Sequence, residues 1–221
     1  MRCLLFFSIA CWLFCSCKKT EIVTAEFSEA TYKLTFAGTW QSPQFAVPAG
    51  AHFTSFTGMV HNQHANLWQP GKLSSSGIEY IAETGYQVPL FFEVDSMMAK
   101  KNAIAQINIP PPSPNGNISR TIYCNSKYSF ISFAAMIAPS PDWFIGVHDL
   151  NLYNNGKWVA DTTVQLYVYD AGTEDGDVFG YDNPPTNPQQ PIQLLTPSKA
   201  TVLANGNMTL APIANVRITL Q

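Results

Sequence analysis

Two apolar runs, each stopped at a turn that carries an aspartate, constrain this chain most. Val164, Leu166 and Val168 alternate with Gln165, Tyr167 and Tyr169, the period of a strand with one buried face. That run ends at Asp170-Ala171-Gly172, where glycine permits a sharp reversal. Upstream, Tyr128 to Ile137 is apolar and is stopped by Pro139-Ser140-Pro141, so Asp142 lies in the loop that follows. Between the two runs, Asn155-Gly156 is a strong hairpin signal and predicts residues 144–153 and 158–169 as antiparallel neighbours. Counting reversals from Ile137 then returns Asp170 to the end of the sheet where Asp142 begins. Two loops present carboxylates to one point.

Charge is concentrated in the same stretch. Asp142, Asp149, Asp161, Asp170, Glu174, Asp175, Asp177 and Asp182 make eight of the chain's 15 acidic residues, with Lys157 as the one Lys or Arg between Pro139 and Asn183. Such crowding repels itself unless water or a bound cation screens it. Calcium, a hard ion that takes carboxylate and carbonyl oxygens, suits a clamp between two loops of a β-sandwich. Solvated loop acids with no ion are the alternative. An EF-hand is excluded, because the alternating acids it needs before glycine are missing between Asp170 and Gly176.

At these residues a family likeness emerges. PSPDWFIGV (139–147), GKW (156–158), LYVYDAGTEDG (166–176) and NPQQPI (187–192) resemble the spondin N-terminal domain family, here in a bacterial lipoprotein form. YKLTFAGTW (32–40), HFTSFTGMVHN (52–62), LWQPGK (67–72) and GIEYIAETG (77–85) extend the resemblance to roughly residues 31–220, in order and at plausible spacing. The resemblance implies an all-β, antiparallel β-sandwich like a C2 domain, with one or two short peripheral helices. It also implies a calcium ion held by Asp142, Asp170 and Glu174. Glu174 is a departure, since animal members carry Asp there; its longer side chain can still bind in bidentate fashion, and Asp175 is the fallback ligand.

Residues 1–17 have Arg2, an apolar stretch from Cys3 to Phe14 and small Ser16 before Cys17, a secretory signal too short to span a membrane. Cys17, followed by Lys18-Lys19, resembles a lipoprotein processing site. The expectation is an acylated Cys17 as the tether to a membrane, a spacer over residues 18–30 and one domain over 31–221. That would place the protein in a bacterial cell envelope, lipid-anchored at the outer membrane, or secreted. An ordinary cleaved signal is the alternative. Four of the five cysteines lie in this leader, leaving Cys124 alone in the folded part. No disulfide can form within the domain, and Cys124 reads as a buried apolar filler.

Elsewhere the chain alternates strands with proline-rich loops. Tyr32, Leu34 and Phe36 mark the buried face of a strand at or next to an edge, and Ile104 to Ile109 another strand. Ser74-Ser75-Ser76 caps a short helix ending near Gly85, read as lying at the sandwich rim. Pro89 to Lys101 suits a second helix, and strands are expected near 200–204 and 213–220. Trp143 reads as a core anchor. His61 and His64 form an H-x-x-H pair without a third ligand, so polar packing is the better reading than zinc.

Net charge of −3 and a pI near 5.7, with no basic stripe, exclude nucleic acid as a partner. No G-x-S-x-G elbow, H-E-x-x-H or phosphate-binding loop occurs. Asp142 with Asp170 could serve glycoside hydrolysis only if neither held a metal, so the chain is not read as an enzyme. The favoured function is a lipid-anchored, calcium-binding adhesion or ligand-recognition module meeting an extracellular protein or glycan. An accessory envelope protein in which calcium only stabilises the fold is the alternative. Exposed aromatic residues around the acidic loops would favour the first, and a plain polar rim the second.

Overall fold

Ala30, Tyr32, Leu34 and Phe36 are buried along one face of the first strand while Glu29, Thr31 and Lys33 meet solvent, the signature of a sheet covered on one side only. A computed structural model describes residues 27–207 and 211–221. The leader with Cys17, and residues 18–26 of the expected spacer, lie outside the described residues. The order is β1 (Glu29–Gly38), β2 (His52–Phe53), β3 (Phe56–His61), α1 (Ser76–Thr84), α2 (Val88–Ala99), β4 (Ala103–Ile109), β5 (Asn117–Asn125), β6 (Phe130–Ala138) and β7 (Trp143–Asn151). After these come β8 (Tyr153–Asn154), β9 (Lys157–Trp158), β10 (Asp161–Leu166), β11 (Tyr169–Asp170), β12 (Gln193–Leu194), α3 (Pro197–Leu203) and β13 (Ala214–Leu220).

One sheet runs β10-β13-β1-β5, antiparallel throughout. The other runs β12-β11-β7-β6-β3-β4, with β2 added beside the end of β6. Between them lies a core containing Tyr32, Leu34 and Phe36 from the first sheet and Phe53, Phe56, Phe133 and Ile145 from the second. Phe36 and Phe56 have ring centroids 4.5 Å apart. The architecture is the expected all-β sandwich, with three helices among the described residues rather than one or two.

Every residue of β3 is buried, and every residue of β6 after Phe130. The reason is a second core. Met59, Ala134 and Phe144 pack with Leu67, Trp68, Ile78, Ile81, Leu90 and Val94, so α1 and α2 cover the outer face of this sheet rather than sitting at a rim. A sheet covered on both faces needs continuous apolar strands rather than alternation. At about 1.5–3 kcal/mol per fully buried large apolar side chain, this layer contributes substantially to stability. α1 starts at its Ser75 cap, whose hydroxyl accepts from the Ile78 amide, and ends at Gly85 in the left-handed region.

Three sequence expectations need correcting. The Asn155-Gly156 turn forms, with both residues at positive φ, but pairing across it stops at Tyr153 with Trp158. β10 then crosses to the other sheet and pairs with β13 instead of β7. A tight turn fixes only the residues flanking it, and the open edge of β13 lies far off in sequence. Residues 200–204, expected as a strand, fall mostly in α3, with Pro197 in its first turn where a missing amide costs nothing. Finally, β1 takes in Glu29 and Ala30, paired with Asn125 and Cys124, so the expected spacer overlaps the sandwich. Cys124 is buried and free; burial pushes its thiol up to about 12. Trp143 is fully buried, as expected of a core anchor.

Candidate metal centre

Although β10 leaves for the other sheet, β11 returns. Tyr169 pairs with Phe144 and Asp170 with Trp143, and the Ala171 amide donates to the Asp142 carbonyl at 3.1 Å. Asp142 and Asp170 therefore meet at one end of the molecule. Gly172, at φ +75°, makes the next turn possible: a Cβ there would stand 2.1 Å from the Gln190 carbonyl oxygen.

Asp142 is fully buried. Its Oδ2 accepts from the Thr173 amide at 2.7 Å, the Glu174 amide at 3.1 Å and the Thr173 hydroxyl at 3.3 Å. Its Oδ1, equally buried, has no hydrogen-bond partner among the described residues. Burial, and then the Asp170 charge, push this carboxyl up to about 6, against the opposing pull of the two amides. A buried carboxylate oxygen without a donor is costly and calls for an electropositive partner.

Asp170 is held differently. Its Oδ1 accepts from the Gly172 amide at 2.8 Å, and its Oδ2 from the Lys199 ammonium at 2.6 Å. Glu174 accepts from Asn183 Nδ2 at 3.3 Å. Burial and the neighbouring Glu83, followed by Asp142 and Asp182, raise its carboxyl to about 7. Asp175 is exposed and accepts from the Thr186 hydroxyl at 2.6 Å.

Sequence reasoning missed Lys199 and Glu83. The carboxyl of Glu83, on α1, is pushed up by burial against the opposing pull of Thr173; its one sequence signal was the four-residue spacing from Glu79 on a helix. Nothing local marks Lys199, which approaches from α3.

The donor set fits a hard cation in part. The unpartnered Asp142 oxygen beside Asp170, with Glu174 close enough to feel both Glu83 and Asp142, favours one. Yet among the described residues no group of three or more His, Cys, Asp or Glu is disposed to hold a metal ion. Calcium also takes backbone carbonyls and water, so two carboxylates suffice only with such oxygens added.

Exposed apolar residues occur on the segments that meet here. Tyr80 and Tyr86 flank Glu83, Val178 and Tyr181 belong to the loop after Gly176, and Leu73 and Leu194 lie beside the β11 edge. The rim is not plainly polar.

At the opposite end of β7, His61, Ser132 and Asp149 form a polar cluster with a superficial likeness to a nucleophile triad. His61 Nε2 lies 2.8 Å from Ser132 Oγ and 3.7 Å from Asp149 Oδ1, while Nδ1 meets the Asn62 carbonyl at 2.9 Å. The acid thus sits on the same ring nitrogen as the serine, not across the ring from it as nucleophile activation requires. His61 and Ser132 are also fully buried. Ser132 Oγ additionally accepts from the Asp149 amide at 2.8 Å, which clasps a β-bulge. Burial holds the His61 imidazole below its ordinary value, and exposed His64 takes no part. Polar packing is the role of His61 in the H-x-x-H pair, and His64 does not share it.

The Spondin_N family profile matches residues 30–205. The chain is 32% identical to Spondin-2 of Rattus norvegicus over 201 residues, covering 85% of this chain and 60% of that protein. It is 32% identical to Spondin-2 of Homo sapiens over 212 residues, covering 90% and 63%. The chain belongs to the spondin N-terminal family. Spondin-1 of Rattus norvegicus is likewise 32% identical, over 183 residues that make up 76% of this chain and 22% of that protein. This spondin domain thus spans about three-fifths of the length of the Spondin-2 relatives. Its sandwich extends past the matched span, for β13 joins β1 to β10. Among the described residues no helix is long and apolar enough to cross a membrane.

Proposed function

We propose that the chain is an extracytoplasmic adhesion or ligand-recognition module whose recognition loops are set by a calcium ion at Asp142 and Asp170, assisted by Glu174. The observation that carries this reading is the Asp142 Oδ1 atom, buried and without a donor at the meeting point of two loops. When bound, the ion would supply positive charge there and hold the Pro139–Trp143 and Asp170–Gly176 loops together. On the segments that carry Glu83 and Glu174, Tyr80, Tyr86, Val178 and Tyr181 are exposed, and aromatic side chains present large contact area at low entropic cost. This supports an extracellular protein or glycan partner over a purely structural role for the ion. Asp175, engaged with Thr186, is the weakest of the four acids as a ligand.

Calcium is expected to raise the melting temperature. A ligand at 100 times its dissociation constant adds about 2.7 kcal/mol, and extracellular sites of this kind bind at about 10⁻⁴–10⁻³ M. A melt unmoved by chelator or by calcium at about 10–100 mM, 100 times those dissociation constants, would sink the reading. The Cys17 context further supports a lipid anchor at the cell envelope, two or more acyl chains giving a stable tether. Mass spectrometry of the mature N-terminus tests it: an unmodified residue there, or cleavage elsewhere, would show a secreted form.

A further inference from the structure

Both oxygens of Asp170 are already in use. Gly172 supplies an amide to Oδ1 at 2.8 Å, and Lys199 supplies its ammonium to Oδ2 at 2.6 Å. This ion pair is no loose surface contact, because the side chains are 13% and 4% exposed. The fold itself sets the lysine there. Leu195 donates its amide to the Val168 carbonyl just ahead of Asp170. Pro197 starts α3, and Ala200 and Leu203 anchor that helix in the core. Lys199 therefore arrives at Asp170 as part of a packed element.

Asp142 Oδ1 beside it has no donor among the described residues. The pair of loops thus carries one neutralised carboxylate and one that is not. An ion bridging both acids must take over Asp170 Oδ2, and an ammonium and a divalent cation cannot share that oxygen without severe repulsion.

We propose that Lys199 is a resident counter-cation that competes with the divalent ion for Asp170, so that calcium binding expels its ammonium into solvent. The inference rests on the calcium reading above. It has two consequences. The loops stay joined without calcium, because Lys199 holds Asp170 in the meantime. Calcium also enters only above a raised threshold, since the apparent dissociation constant increases as the fraction of molecules with a free Asp170 falls. Such a site responds to extracellular calcium and ignores trace levels.

The test is a calorimetric calcium titration of the full chain and of Lys199→Met, Lys199→Gln and Lys199→Arg, with melts in chelator and in calcium. If Lys199 holds Asp170 in nine molecules of ten, removing the charge tightens calcium binding about tenfold. The Met and Gln variants are both expected to show this, and Gln keeps a polar end should Met fail to fold. Arg, which retains the charge, is expected to stay near the wild type. In chelator the two neutral variants melt lower than wild type, and calcium closes the gap. Neutral variants that bind calcium no more tightly than wild type would overturn the role of Lys199 and leave the calcium site standing. Absence of calcium binding in all four chains would overturn both.

Discussion

Replacing Asp142 by Asn tests the electrostatics of the loop junction directly. Burial and the Asp170 charge push the Asp142 carboxyl from 3.8 to about 6. The unfolded chain therefore gives up this proton near its ordinary value, while the folded chain keeps it until about pH 6. Across that window the folded state holds more protons, so the stability of the ion-free domain falls as pH rises and the loss is complete above the folded value. At about 1.36 kcal/mol for each pH unit between the two values, the loss is about 3 kcal/mol. For a domain of this size that corresponds to about 6–12 °C in melting temperature. Asn keeps an oxygen for the Thr173 and Glu174 amides but cannot ionise, so this pH dependence vanishes. Its amide group, however, takes the place of Oδ1 without an acceptor, at a cost of about 1–3 kcal/mol. Net stability near neutral pH then changes little, and the slope is the decisive reading. The assay is thermal unfolding in chelator from about pH 3 to 7.5, which brackets both values, repeated with calcium. Asp142→Asn is expected to flatten the profile, leaving the part due to Glu174 and Glu83, and to abolish most of the calcium response. Profiles that run parallel to wild type, or an undiminished calcium shift, would refute the reasoning.

Other perturbations probe the surroundings. Gly172→Ala places a Cβ against the Gln190 carbonyl at a positive φ; a loss of about 2–4 kcal/mol in urea unfolding is expected, and a loss under about 1 kcal/mol would contradict the close approach. Ser132→Ala strips a partner from buried His61 and from the Asp149 amide, which should cost about 1–3 kcal/mol while leaving calcium binding untouched, since the cluster lies at the far end of β7. Burial pushes the Cys124 thiol up to about 12, so iodoacetamide at about pH 8, near the ordinary thiol value, followed by peptide mapping should find Cys124 unmodified in the folded chain and modified in urea. Labelling of the native protein would show that β5 opens.

Much of this is legible in the residues. Alternation in β1, the Ser75 cap and Gly85 stop of α1, and the Asn155-Gly156 turn are local rules, so a few adjacent residues suffice to read them. The meeting of Asp142 and Asp170 is legible too, though by a different route from the one the turn suggests: β10 departs to pair with β13, and only the two-residue β11 returns to β7. α3 escapes because Thr201 and Val202 are β-branched and favour strand, whereas the buried Ala200 and Leu203 fix a helix through distant contacts. Glu83 and Lys199 escape for the same reason, each being brought to the acidic loops by an element whose docking no short stretch encodes.

The amino-acid sequence by itself determined the class of fold, the turn positions and the identity of the acids, because periodicity, capping and turn chemistry act over a few residues. Tertiary structure alone decided which sheet edge each strand joins and which charges face one another. It left Asp142 with an oxygen unanswered and gave Asp170 to Lys199. Burial and Coulomb interaction depend on distance in space, and packing sets that distance between residues remote along the chain.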